Sequence, residues 1–66
     1  MSAIAYRASF VRRTGELVPY QAMVICPSPI LACECFREFA QVNGVVLSSV
    51  IEHETANPIF HAVTVL

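Results

Sequence analysis

The stretch CPSPILACECFREFAQVNG, from Cys26 to Gly44, predicts a single helix whose start and end are both set by local chemistry. Ser28 suits the N-cap position because its hydroxyl can accept a hydrogen bond from an otherwise unpaired first-turn N–H. Pro29 suits the first helical position, where no donor is needed. After Asn43, Gly44 can adopt the left-handed conformation that ends a helix. The remaining predicted elements are strands that precede and follow this helix in the sequence.

At 100° per residue the predicted helix has a broad apolar face and a polar face. The apolar face comprises Leu31, Ala32, Cys35, Phe36, Phe39 and Val42, and the polar face comprises Glu34, Arg37, Glu38 and Gln41. We expect the apolar face to pack on a sheet, with Cys35 near its middle as a small core residue.

Two predicted strands precede the helix and form a hairpin. Residues from Ile4 to Arg12 alternate with period two, which is typical of a half-buried strand. The following turn contains Gly15, which can take the positive φ that tight hairpins require. The return strand, Leu17 to Ile25, has no clearly polar face. This pattern predicts that the return strand is covered on both sides or lies at an interface.

Two further strands are predicted after the helix. Val45 to Glu54 is rich in β-branched residues, and strict alternation would place Leu47 and Val50 on opposite faces. A turn and a last strand, Ile59 to Leu66, follow. Depending on the length of the turn, His61 would lie opposite Glu52 or opposite His53.

These elements predict a β-β-α-β-β chain of the α+β class, with a four-stranded antiparallel-rich sheet and one helix packed on one face. Residues 1–66 would form a single small domain. The opposite face of the sheet has no cover in this arrangement, which makes that face and the strand edges the expected contact surfaces.

The composition predicts that the protein binds a second copy of itself or another protein. Hydrophobic residues make up 56% of the 66 residues and charged residues 14%, against about 25% in a typical soluble domain. A domain of this size buries only about 60% of the surface of its unfolded chain, so some apolar surface is expected to be covered by a second copy or by a target. We expect a homodimer. Neither a signal peptide nor a membrane span of ~20 apolar residues is recognisable, which predicts a cytoplasmic protein with reduced thiols.

The residues that could carry chemistry do not form a recognisable catalytic or metal-binding pattern. The side chains of Cys33 and Cys35 point about 200° apart around a helix and cannot coordinate the same metal ion. Cys33 lies near a helix N-terminus, which favours a thiolate, but no histidine is nearby in sequence to act as its base. A carboxylate beside an imidazole, as in Glu52 and His61, can act in general acid–base catalysis. On an exposed hairpin such neighbours are more often a solvent-exposed cross-strand pair without a catalytic role. We predict no enzymatic activity, no metal and no cofactor.

Nucleic-acid binding is an alternative function. Arg7, Arg12 and Arg13 share the first hairpin with aromatic residues, a combination that can bind single strands through backbone charge and stacking. A dimeric regulator could use these arginines on phosphates. The formal net charge of −1 provides no wider attraction to a polyanion. A metal- or thiol-responsive module is a second alternative.

The favoured prediction is a small protein that binds a larger protein target by stoichiometric contact. In size and layout the chain resembles the accessory proteins of phages and other mobile elements, which include anti-CRISPR proteins and other inhibitors of host enzymes. That resemblance implies an inhibitor that acts by steric or electrostatic blocking. The residues predicted to contact the partner are Arg7, Arg12, Arg13, Tyr20, Met23, Glu34, Arg37, Glu38 and Gln41.

Overall fold

The computed structural model describes residues 3–55 and 58–61, the latter through their backbone alone. Its elements are β1 (Ile4–Val11), β2 (Leu17–Cys26), α1 (Pro29–Asn43) and β3 (Val46–Glu52). The strands pair antiparallel in the order β2-β1-β3, and α1 packs on one face of this sheet. The predicted α+β class, with one helix on an antiparallel sheet, is confirmed.

The helix ends are those that the sequence predicts. The Ser28 side chain accepts a hydrogen bond from the Leu31 N–H at 3.3 Å, and Pro29 is the first helical residue. Gly44 has a φ of 69°, and its N–H donates to the Gln41 carbonyl. A side chain at position 44 would be strained in this conformation.

The first hairpin is also confirmed. The Arg12 N–H donates to the Glu16 carbonyl at 2.7 Å, and Gly15 has a φ of 96° in the turn. The pairing runs from Ile4 opposite Cys26 to Val11 opposite Leu17, with a bulge near the turn. The return strand therefore lies at the edge of the sheet formed by the first three strands.

The predicted apolar face of the helix was only partly right, because Ala32 and Phe36 are buried as predicted and its other four members are exposed. The residues of α1 that are buried on the sheet are Ala32, Phe36 and Ala40. This row is rotated by about 80° from the centre of the predicted apolar face, at 100° per residue. Two alanines flanking one phenylalanine let the helix approach the sheet closely, so the buried row is narrow. Cys35, which was predicted to be a core residue, is exposed.

Strict alternation was also wrong for β3. The pairing with β1 shifts register between Ser9, opposite Ser49, and Phe10, opposite Leu47, so Ser48 is an extra residue. This bulge brings Leu47 and Val50 into the same core cluster under the helix. Sequence periodicity cannot reveal an inserted residue, because the alternation on each side of it remains regular.

A short segment, β4 (Pro58–His61), pairs its backbone antiparallel with β3. Its register places His61 opposite Ser49, so both predicted partners of His61, Glu52 and His53, were wrong. The turn is longer than predicted because the pair nearest to it is Ile51 with Pro58. The His53 N–H donates instead to the Ala5 carbonyl of β1 at 2.9 Å. Most of the predicted last strand, Ile59–Leu66, lies outside the described residues.

Candidate partner-binding surfaces

The face of the sheet opposite the helix, here called the back face, consists of cross-strand rows. The pairing places Arg7 of β1 between Met23 of β2 and Ile51 of β3. The neighbouring row is polar and contains Ser9, whose hydroxyl accepts a hydrogen bond from the Gln21 amide at 3.0 Å. Among residues 3–55, α1 is the only helix, and it packs on the other face. In the part of the chain that the structure describes, the back face is therefore uncovered.

Arg7 is the charged residue at the centre of the back face. Its side chain is half-buried, and its Nε atom is buried without a hydrogen-bond partner among the described residues. A buried N–H without an acceptor has lost its water contacts and is costly unless a partner restores them. The Nε is shielded from solvent, so a second molecule could supply its acceptor only if the Arg7 side chain turned outward.

The edge strand β2 carries no charged residue over its ten positions. On the back face it exposes Met23 by 53% and Ile25 by 68%. Natural edge strands usually carry charges or prolines that prevent pairing with another chain, and in β2 only Pro19 serves this purpose. The uncharged edge is typical of a strand that another chain covers.

The helix adds a second exposed apolar surface on the side of β2. The Phe39 ring packs between Phe10, at a centroid distance of 5.2 Å, and Tyr20 of β2, at 6.2 Å. Leu31, Cys35 and Val42 lie on the same flank of the helix as Phe39, and Val42 is 79% exposed. We call these four residues of α1 the β2-side flank. The apolar surface thus continues from the helix across the sheet edge.

The predicted contact residues fall on separate parts of the fold. Arg7 and Met23 are cross-strand neighbours on the back face, whereas Tyr20 lies on the helix side of β2. Arg12 and Arg13 are exposed at the hairpin turn, roughly 16 Å along the strand from Arg7 at ~3.3 Å per residue. The structure therefore does not gather the three arginines into one patch. The predicted polar residues of the helix are all exposed: Glu34, Arg37, Glu38 and Gln41.

Two surface depressions are lined by ionisable or nucleophilic side chains. One of ≈ 270 Å³ is lined by Glu52 and Glu54, and the other, of ≈ 360 Å³, by Cys33, Glu34 and Arg37. The Glu52 carboxylate accepts a hydrogen bond from the Thr55 hydroxyl at 2.7 Å. Among the described residues no three Cys, His, Asp or Glu side chains converge as metal ligands. No hydrogen bond among the described residues joins the Cys33 thiol to the Glu34 carboxylate in the second depression.

Comparison with models of protein families, with curated proteins and with solved structures found no match to this chain. Within residues 3–55 and 58–61, the helix that is present is too short and too polar to cross a membrane. Function is therefore inferred from the surfaces themselves.

Sequence reasoning missed part of the exposed apolar surface. Ile25 and Ile51 share the back face with Met23 but were not singled out, and Phe39 and Val42 were assigned to the core. One feature of the sequence did indicate an exposed apolar surface on the helix. The predicted apolar face of the helix was broader than a single row of contacts with a sheet requires, which indicates that part of it faces another surface.

Proposed function

We propose that the protein is a non-enzymatic binding protein that acts by stoichiometric contact with a larger protein. Inhibition by blocking a surface of that protein, as in the phage-type accessory proteins that the chain resembles in size, is the mode of action most consistent with a chain of this kind. The observation that carries the proposal is the back face, which has apolar side chains on either side of an arginine whose buried Nε has no hydrogen-bond partner among the described residues.

The chemistry of the back face suggests the chemistry of the partner. Arginine and methionine are enriched in protein interfaces, and an arginine at the centre of a contact is often one of the few residues that dominate affinity. A carboxylate or carbonyl on the partner would accept a hydrogen bond from Arg7, while Met23 and Ile51 would pack on apolar side chains around it. The partner surface is therefore expected to be apolar with an acidic or carbonyl group at its centre.

The proposal includes a homodimer and a complete four-stranded sheet. The backbone pairing of Pro58–His61 with β3 supports a fourth strand at that edge. With that edge occupied, β2 is the open edge of the sheet within residues 3–55 and 58–61, and the back face of this part of the chain remains available for the target.

Reversing the charge of Arg7 tests the proposed target surface. The tagged wild-type protein is expected to retain a cellular protein in a molar amount comparable to its own in affinity capture read by quantitative mass spectrometry. Arg7→Glu should reduce this recovery at least about tenfold, because it removes the donor and places a carboxylate against the partner's acceptor.

Arg13→Glu is the matched control, since it makes the same charge change at the exposed hairpin turn. The sequence predicted Arg13 as a partner contact, but it lies away from the back face and is not part of the proposed target surface. It should retain the partner as the wild type does. Circular dichroism must show that both variants are folded. The proposal fails if the wild type retains no protein in comparable molar amount, or if Arg7→Glu retains as much as Arg13→Glu.

A further inference from the structure

The open edge of β2 presents a defined set of backbone groups. In an antiparallel sheet, each residue of a central strand directs its N–H and C=O to one neighbouring strand, and successive residues alternate. The Ala5 carbonyl accepts from the His53 N–H, so Ala5 faces β3, as do Arg7 and Ser9 by alternation. Their partners on β2 consequently direct both backbone groups away from β1, toward the open edge; these partners are Ile25, Met23 and Gln21.

Prolines bound this edge segment symmetrically. Pro19 precedes Met23 by four residues, and Pro27 follows it by four. Neither proline has an N–H to donate to a neighbouring strand. The edge therefore offers a continuous set of donors only from Gln21 to Ile25, centred on Met23.

We propose that two copies of the protein pair their β2 edges antiparallel about a two-fold axis at Met23. In this register Met23 lies opposite the second copy's Met23, and Gln21 lies opposite its Ile25. Each outward N–H and C=O of the segment then has a partner. A shift of the register places a proline opposite one of these residues and leaves an acceptor without its donor, so the prolines select the Met23-centred pairing.

The side chains at the edge are compatible with this self-association. β2 has no charged residue, so the paired strands themselves bring no like charges together. On the helix side, Ala22 would lie opposite Val24 of the second copy, and both are small enough for the close spacing of that pair. The two β2-side flanks would approach each other above this junction and cover Phe39 and Val42.

The apolar area is large enough for a stable dimer. Seven exposed side chains lie along the edge and the flank: Leu17, Tyr20, Met23, Ile25, Leu31, Phe39 and Val42. Their exposed fractions correspond to an area on the order of 700 Å² per copy, taking about 150–250 Å² for a fully exposed large side chain. A standard interface buries about 800 Å² per partner. In the dimer the two sheets would be continuous through their β2 edges, with both helices on one side. This arrangement would explain why these seven apolar side chains are exposed in a single copy.

This inference rests on the proposed function in one respect. The proposed function includes a homodimer, and the inference identifies the surface that forms it. Of the partner-binding residues, Arg7 and Ile51 lie outside the paired edge, whereas Met23 belongs to both surfaces. Dimerisation of the purified protein can therefore fail while capture of a target succeeds, and the reverse.

Opposite charges at position 23 test both the dimer and its register. Sedimentation equilibrium should give a dimer for the wild type. Met23→Glu and Met23→Arg should each raise the dimer dissociation constant at least about 100-fold, because like-charged side chains would face each other across the axis from Cα atoms about 5.5 Å apart. An equimolar mixture of the two variants should restore the dimer, since each glutamate then faces an arginine.

Ile30→Glu is the matched control, because Ile30 is also an exposed apolar residue, at 72%, but lies on the opposite side of the helix from Phe39. This variant should remain a dimer. A monomeric wild type at 100 μM overturns the proposal and leaves the β2 edge available to a strand of another protein. A wild-type dimer whose mixed variants stay monomeric overturns the Met23-centred register, as does a dimer of Met23→Glu alone. Circular dichroism of each variant separates dissociation from unfolding.

Discussion

Replacing Phe10 by alanine is expected to unfold the protein at room temperature. Phe10 is 0% exposed in the middle of the core, where its ring contacts the rings of Tyr20, Phe36 and Phe39. Removing a buried phenylalanine side chain typically costs about 3–5 kcal/mol. A domain of this length has a total stability of roughly 3–10 kcal/mol, at 0.05–0.15 kcal/mol per residue. The loss is therefore comparable to the whole free energy of unfolding.

Urea denaturation followed by circular dichroism measures this effect. Ile30→Ala is the control, because Ile30 is 72% exposed on the opposite side of the helix from Phe39 and should lose much less stability. A Phe10→Ala variant with a midpoint close to that of the wild type would show that the helix does not depend on this ring for its packing.

Alkaline pH is expected to unfold the protein through Tyr6. Tyr6 is buried in β1, and burial raises the pKa of its phenol above the ordinary value of 10.0; Cys26, Glu52 and Cys33 add smaller contributions in the same direction. The unfolded chain ionises this phenol near pH 10, whereas the folded chain holds the proton to higher pH. Above that pH the folded state binds more protons, so stability falls as pH rises. Below about pH 9 Tyr6 should contribute no pH dependence.

Thermal midpoints of the wild type and of Tyr6→Phe between pH 8 and 11.5 test this expectation. The cysteines are common to both proteins, so the difference between the two curves reports Tyr6. The difference should be flat up to about pH 9 and should then grow in favour of Tyr6→Phe. Tyr20→Phe, at a partly exposed tyrosine, should follow the wild type. Parallel curves for the wild type and Tyr6→Phe would contradict a buried, neutral phenol.

The helix and the first hairpin were predictable because local chemistry sets their ends. Ser28, Pro29 and Gly44 act within one turn of the helix, and Gly15 acts within a single turn of the hairpin. The rotation of the helix depends instead on how closely Ala32 and Ala40 let it approach the sheet, which is a property of the packed structure. The β3 bulge at Ser48 likewise depends on pairing with a distant strand.

The candidate surfaces were predictable only in outline. The lack of a polar face on β2 indicated an interface before its position at the sheet edge was known. The neighbours of Met23 could not be predicted, because they depend on the strand order and on the register with Arg7. The direction of each backbone amide at the edge depends on the same pairing.

Amide hydrogen exchange by NMR tests the β2 edge most directly. The N–H groups of Ala22 and Val24 point toward β1 and serve as internal references, while those of Gln21, Met23 and Ile25 point toward the proposed second copy. At millimolar concentration we expect all five to exchange slowly, and dilution should accelerate the outward three alone. Rapid exchange of Gln21, Met23 and Ile25 at every concentration, beside slow exchange of Ala22 and Val24, would contradict a dimer formed through this edge.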